Sequence, residues 1–443
     1  MMLALYRTLT FLLHPLMALH LRCRLRKGKE DPVRWRERLG HSSPPQNGTK
    51  GSREPAAHGG ASLRSGAEQE APNKRIWIHA ASVGESLSIL PLLQALMAAH
   101  PSHSFLVTTG TVTSARLMAE RLPAGVTHAF APVDTPQAVS RFLDRWKPQT
   151  GIWVESELWP NMVMMARERG VKLALVNGRL SERSARRWKR MQDTIATLLS
   201  AFRVILAQSD GDLARFQALG ARHAACVGNL KYDAAETPVN EPAVAALRQA
   251  LGDRPLWVAS STHPGEEQLI IEAHRRIRET HPAALMILIP RHPSRGAEIA
   301  ALLTEKNTPF SRRSEGSLPL EDAACYLADT LGEVGIFYTL SPIVFLGGSL
   351  VPVGGHNPLE PALLNCALLL GPHTFNFSQI LEDLTSKGAA TVIHDAPELA
   401  ETVSHWMEQT ALAKRQADAA FQVVKTHQGV ALKATDALRT VIS

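Results

Sequence analysis

Cysteine is scarce in this chain: four residues in 443, Cys23, Cys226, Cys325 and Cys366, scattered and without a C-x-x-C pair. So few thiols in a chain of this size exclude a disulfide framework and fit a reducing compartment. Aromatics are 5% of residues, and neither zinc-finger spacing nor an aromatic-rich platform for single strands is present. Nucleic acid is therefore not an expected partner. The one short acidic pattern of a metal-dependent transferase, Asp210-Gly211-Asp212, reads better as the acidic first turn of a helix. No metal and no cofactor are expected. No internal sequence repeat is found. The apolar stretch Leu3 to Leu21 is interrupted by Arg7, His14, Pro15 and His20. As a helix it would be about 28 Å long, the lower limit for crossing a bilayer.

What is present is enough apolar material, 45% of residues, for two ordinary domains. A formal net charge of +7 suits anionic membranes or phosphorylated substrates. The apolar N-terminus is followed by Arg22, Arg24, Arg26, Lys27 and Lys29, with no small-residue cleavage site. A secretory signal has the reverse order, and positive charge marks the cytoplasmic flank. The expectation is an uncleaved anchor over residues 1–40, spanning the membrane or lying in its interface. The alternative is a soluble amphipathic helix packed on the domain. His41 to Asn73 is rich in Ser, Pro, Gly and Ala and has no apolar period, so it reads as a linker.

From Lys74 short apolar runs alternate with helical periodicity: Ile76–His79, Ser104–Thr108, His128–Ala131, Gly151–Val154, Leu173–Val176 and Val204–Ala207, with helices such as Ser86–Ala99, Thr113–Leu122 and Gln137–Trp146 between the earlier ones. A second series gives Leu256–Ser260, Leu285–Ile289, Ala324–Leu327, Ile343–Leu346, Ala367–Leu370 and Thr391–Ile393, with Ala396 to Ile442 helical throughout. This pattern predicts an α/β fold of two doubly wound parallel sheets, over 74–232 and 233–443. Ligands bind at the carboxyl ends of such strands, and the gap between two facing domains is the expected site.

The polar motifs follow the apolar runs. WIHAASVGE ends in Glu85, which could take a proton from a hydroxyl, while the small residues from Ser82 let a substrate approach the backbone. A first-turn Glu stabilised by the helix dipole is the plainer reading. GIWVESELWPN supplies Glu155 and Glu157 at a strand end. They suit sugar binding or stabilisation of positive charge, or else cap a helix. VNGRLSERS brings Asn177 and Arg179, suited to a phosphorylated headgroup. VGNLKYD puts Lys231 at the domain junction. In the second half, ASSTHPGEE, IPRHPSR, ADTLGEVG and GGSLVPVGGHNPLEPA each follow a strand. They carry Arg291 and His292, then Leu331, Gly332 and Glu333, then Asn357, Pro358, Leu359 and Glu360. Four polar loops on one sheet edge point to a nucleotide site, with a carboxylate at Glu360 able to take both ribose hydroxyls.

SVGE, ESELWPN, NGRLS, GNLKYD, PRHP, GE and GGHNPLEP, in this order, resemble the 3-deoxy-D-manno-octulosonic acid (Kdo) transferases of Gram-negative bacteria, as does RWRERLG, Arg34 to Gly40. The resemblance implies the GT-B architecture, two Rossmann-like domains facing a cleft, behind an N-terminal membrane-anchor helix. It implies transfer of Kdo from CMP-Kdo to the lipid A precursor, lipid IVA, with inversion, at the cytoplasmic face of the inner membrane. By the same resemblance Glu85 matches the general base, and Glu155, Glu157 and Lys231 match groups that assist the transition state. Which of the two acids is essential stays open. Arg291, His292, Leu331, Gly332, Glu333 and Asn357 to Glu360 match the CMP-binding loops, and Ser82, Asn177 and Arg179 fall on the acceptor side. The linker is longer than the family leads one to expect. A sugar-nucleotide epimerase and a non-catalytic membrane adaptor are the rival readings.

Overall fold

The computed structural model describes residues 2–41, 74–234 and 237–442; the linker, apart from His41, lies outside them. The chain divides into two compact units, one of residues 1–234 with 429–443, the other of 235–428.

The first unit carries strands β1 (Arg75–His79), β2 (Ser104–Thr109), β3 (Val126–Phe130), β4 (Thr150–Val154), β5 (Lys172–Gly178), β6 (Phe202–Ala207) and β7 (Ala224–Cys226). They form one parallel sheet in the order β3-β2-β1-β4-β5-β6-β7. Both faces are covered, so the strands are apolar almost throughout while successive side chains still alternate. Trp77 packs with Phe142, Trp153 and Leu173 on one face. Ile76 and Ile78 pack with Leu92, Leu93, Leu438 and Ile442 on the other.

The second unit repeats the plan with β8 (Leu256–Thr262), β9 (Leu285–Pro290), β10 (Phe310–Arg312), β11 (Cys325–Leu327), β12 (Ile343–Leu346), β13 (Ala367–Leu370) and β14 (Thr391–Val392), ordered β10-β11-β9-β8-β12-β13-β14 and again parallel. The strand order reverses between β1 and β4 in one sheet and between β8 and β12 in the other. Connections leave for opposite faces at those points, which opens a crevice at the carboxyl ends.

The structure differs from the sequence reading in three places. The expected helix Ser86–Ala99 is two helices, Val83–Ser88 and Leu90–Ala99, because Pro91 has no amide hydrogen to continue the ladder. The C-terminal stretch is three helices, Ala396–Glu408, Thr410–His427 and Val430–Ile442. The last of them belongs to the first unit, not the second: Val430, Ala434, Leu438 and Val441 complete the core around Ile76 and Ile78. Asp233 anchors its start, accepting hydrogen bonds from Gly429 N at 2.7 Å and Ala431 N at 2.6 Å.

At the N-terminus, Met2–Leu12 and His14–Arg26 are two helices bent by 58°. Among the described residues no single helix is long and apolar enough to cross a membrane, although this bent pair passes the same test together. One face is docked on the first unit through Tyr6 to Asp134, Arg7 to Glu168 and His14 to Thr135. Leu5, Leu9, Phe11, Leu12, Leu16 and Leu19 are exposed.

Candidate active site

Glu85 stands where β1 gives way to a helix, on the β1 side of the first crevice. Ser82 is the N-cap, accepting from Glu85 N through its side chain. The Glu85 carboxylate reaches back to accept from Ser82 Oγ at 2.7 Å and from Ala81 N, one residue before the cap, at 2.9 Å. The plain reading as a first-turn Glu thus holds for the backbone. It does not account for the burial: Glu85 is only 6% exposed. Burial pushes its pKa up to about 7, against the opposing bond from Ser82, and Glu155 and Glu157 add repulsion.

Glu155 and Glu157 emerge from the end of β4, across the same crevice. Glu155 has φ of +58°, a conformation costly for a side-chain-bearing residue and concentrated at functional sites. It pairs with Lys231 Nζ at 3.1 Å. Glu157 accepts from Trp159 Nε1 at 2.6 Å. Asn177 is buried at the end of β5, also left-handed with φ of +53°. Its Oδ1 accepts from Leu230 N at 2.9 Å, so it fixes the turn that carries Lys231. Arg179 contributes its carbonyl to Ser156 Oγ. The structure therefore gathers Glu85, Glu155, Glu157 and Lys231 at one rim, with Asn177 beneath them.

Several residues of this rim were not singled out in the sequence. His79 ends β1 with Nδ1 on Thr108 Oγ1 at 3.0 Å and a buried Nε2 that has no hydrogen-bond partner among the described residues; burial lowers its pKa to about 4. Asp134 accepts from Tyr6 Oη, Asn161 N and Met162 N, tying the N-terminal helix to the loop after β3. His79, Ala81, Glu157 and Trp159 join Leu13 and Met17 of the N-terminal helices around a pocket of about 370 Å³. A larger cavity of about 560 Å³ lies by Lys74, Gln149 and Lys172, at the amino ends of β1, β4 and β5, away from the rim.

In the second unit the crevice between β8 and β12 is organised by a carboxylate that the sequence reading passed over. Glu266 is fully buried, 0% exposed. Its two oxygens accept from four backbone N–H groups: His263 at 3.0 Å, Gly348 at 2.6 Å, Ser349 at 3.0 Å and Leu350 at 2.9 Å. It thereby pins the loop after β12 to the turn after β8. Ser261, the residue before that turn's Thr262, is left-handed with φ of +59°. Arg291 and His292 follow β9 and are exposed. Leu331 and Gly332 form an exposed bend, and Glu333 is held by Arg313 at 2.7 Å and by Thr330. Asn357 Nδ2 donates to Glu360 Oε1 at 3.0 Å while its Oδ1 accepts from Leu359 N, with Pro358 and Leu359 buried. No group of His, Cys, Asp and Glu that could hold a metal is found among the described residues.

Residues 33–234 match the sequence profile of the family described as 3-deoxy-D-manno-octulosonic-acid transferase (kdotransferase). A 3-deoxy-D-manno-octulosonic acid transferase of Haemophilus influenzae is 35% identical over 372 residues, 83% of this chain and 87% of that protein. The chain belongs to the Kdo transferase family. A Bordetella pertussis transferase of the same name is 34% identical over 87% of this chain and 90% of its own, and a probable mitochondrial one of Arabidopsis thaliana is 34% identical over 88% and 83%. The fold agrees with a glycosyltransferase of Rickettsia africae, TM-score 0.55 at 10% identity, covering 84% of this chain and all of that one. It agrees equally with a putative UDP-N-acetylglucosamine 2-epimerase of Listeria monocytogenes, TM-score 0.54 at 13% identity, covering 84% and 96%. Such distant likeness speaks for the GT-B architecture alone. Membership of the Kdo transferase family makes the chain a glycosyltransferase and sets aside the epimerase and adaptor readings.

Proposed function

We propose that this Kdo transferase moves Kdo from CMP-Kdo to the lipid A precursor, lipid IVA, in lipopolysaccharide biosynthesis, with Glu85 as the base. The observation that carries the reading is the state of Glu85. It is a buried carboxylate at a sheet switch point, with a pKa raised to about 7 and, among the described residues, two hydrogen bonds to its oxygens. A base poised near the working pH combines the right charge with a useful driving force. The acceptor hydroxyl gives its proton to Glu85, and its oxygen bonds to the anomeric carbon of Kdo from the face opposite the phosphate. The bond from that carbon to the phosphate oxygen breaks, the electron pair leaves with CMP, and the configuration inverts. The Lys231 and Glu155 pair lends charge at the same rim. Ser82, Asn177 and Arg179 remain the acceptor-side residues of this reading, Asn177 acting through the Lys231 turn.

The donor is assigned to the second unit, to the loops after β9, β11 and β12 that carry Arg291 and His292, Leu331 to Glu333, and Asn357 to Glu360. The N-terminal helix pair supports a lipid acceptor and an inner-membrane, cytoplasmic-face location. Its exposed leucines and the cations from Arg22 to Lys29 have the chemistry of an interfacial helix on anionic lipid, while its other face is bonded to the domain. The test is incubation with CMP-Kdo, with and without lipid IVA. Release of CMP only with acceptor, together with a product heavier by Kdo, is expected; release that ignores the acceptor removes the proposal.

A further inference from the structure

His263 and His356 come from opposite sides of the β8 and β12 crevice, one from the turn after β8 and one from the loop after β12. Their Nε2 atoms are 2.8 Å apart. The ring planes differ by 7° and the centroids lie 5.0 Å apart. Planes so nearly parallel cannot be further apart than their closest atoms, and 2.8 Å is too close for face-to-face stacking. The rings meet edge to edge through an N–H···N hydrogen bond. A Cβ built on Gly348, which has φ of +66°, would lie 3.2 Å from Cδ2 of both rings. Both Cδ2 edges therefore lie on the Gly348 side and both Cε1 edges on the opposite side, while the Nδ1 atoms sit at the outer ends of the bridged pair and point apart.

This geometry has a protonic consequence. The bridge uses one donor and one acceptor. The neutral pair therefore keeps one Nδ1–H and one bare Nδ1, and a single added proton turns both Nδ1 atoms into donors while the bridge survives. We propose that His263 and His356 act as one protonatable unit that takes up a single proton when the nucleotide's phosphate occupies the crevice. The inference rests on the donor reading above and extends it. It concerns a charge change that the reaction itself makes: the donor's phosphodiester carries one negative charge, and the departing CMP phosphate monoester carries up to two.

The surroundings set the resting state. Arg291 and His292 face the pair from the loop after β9, and burial, with both of these side chains disfavouring a further positive charge, lowers the pKa of both imidazoles, that of His356 to about 4. Glu266 and Glu267 face His263 from the helix Glu266–Thr280. Both are occupied, Glu266 by its four backbone donors and Glu267 by Thr262 Oγ1 and Arg295. The pair on its own is thus neutral near pH 7, and an arriving phosphate offsets the repulsion that keeps it so.

The experiment is the affinity of the full chain for CMP, measured by calorimetry from pH 6.5 to pH 8. Wild type, His263→Gln, His356→Gln, the double variant and His292→Gln are compared after confirming native melting. Glutamine can keep the bridging position but takes no proton. Wild-type affinity is expected to fall by about tenfold over this range beyond the change common to all variants, which comes from CMP's own phosphate. Each single variant loses this extra dependence, and the double variant is no worse than either single one. His292→Gln binds more weakly but keeps the dependence. The same pH dependence in both single variants, or its loss on removing His292, overturns the inference. Failure of wild type to bind CMP at all removes the donor reading, and the inference with it.

Discussion

Glu85 and Glu266 occupy matching stations, each in the first turn of the helix that follows the first strand of its unit, and each is buried. Their bonding differs. Glu266 has a donor for each of its four lone-pair positions, all from backbone, and spends its charge on holding two loops together. Glu85 has two donors, and burial acts on the remainder to raise its pKa to about 7. The same residue at the same place in the fold is a clamp when saturated and a candidate base when half-satisfied. Charge alone, or position alone, does not separate the two.

The comparison breaks most visibly if Glu85 is dispensable. Glu85→Gln should lower the initial rate of acceptor-dependent CMP release by about 10²- to 10⁴-fold; a loss smaller than tenfold contradicts the assignment. Stability should move the other way. Because the folded pKa lies above the ordinary value of 4.5, folding favours the protonated form, and that contribution is complete below the ordinary value and lost as pH rises through about 7. At pH 8 the charged Glu85 opposes folding, so Glu85→Gln should melt a few degrees higher there, with the gain shrinking toward pH 5.

Glu266→Gln sharpens the same contrast from the other side. An amide turns N–H groups toward N–H groups in a fully buried site, and the expected cost is about 3 kcal/mol in denaturant unfolding. A loss below about 1 kcal/mol would mean that the four bonds do not hold the loops. Asn177→Ala removes the acceptor of Leu230 N and should cost about 1–2 kcal/mol, with a fall in activity through the loosened Lys231 turn. Arg7→Ala, by contrast, breaks a pair whose members are 46% and 48% exposed, and should change stability by less than about 0.5 kcal/mol.

How far the sequence carried these conclusions depended on how local each signal was. Strands buried on both faces are continuous apolar runs, so the central strands and the polar motifs at their ends were legible, including Glu85, Glu155 and the Asn357 to Glu360 loop. The three-residue edge strands β7 and β10 are too short to carry a pattern. The return of Val430–Ile442 to the first unit is set by Asp233, roughly two hundred positions earlier, which no local periodicity records. The partners of Glu266 and the meeting of His263 with His356 exist only because β12 pairs with β8. The quoted motifs contained all three residues, but nothing in their spacing brings them together. A helix break at Pro91, by contrast, could have been read directly.

The most direct test is kcat/KM for Kdo transfer measured against pH in wild type and Glu85→Gln side by side. Wild type should rise with pH along a limb of midpoint near 7, and the residual activity of the variant should lack that limb. An identical limb in the variant, or a wild-type midpoint in the ordinary carboxylate range, would contradict Glu85 as the group that accepts the proton.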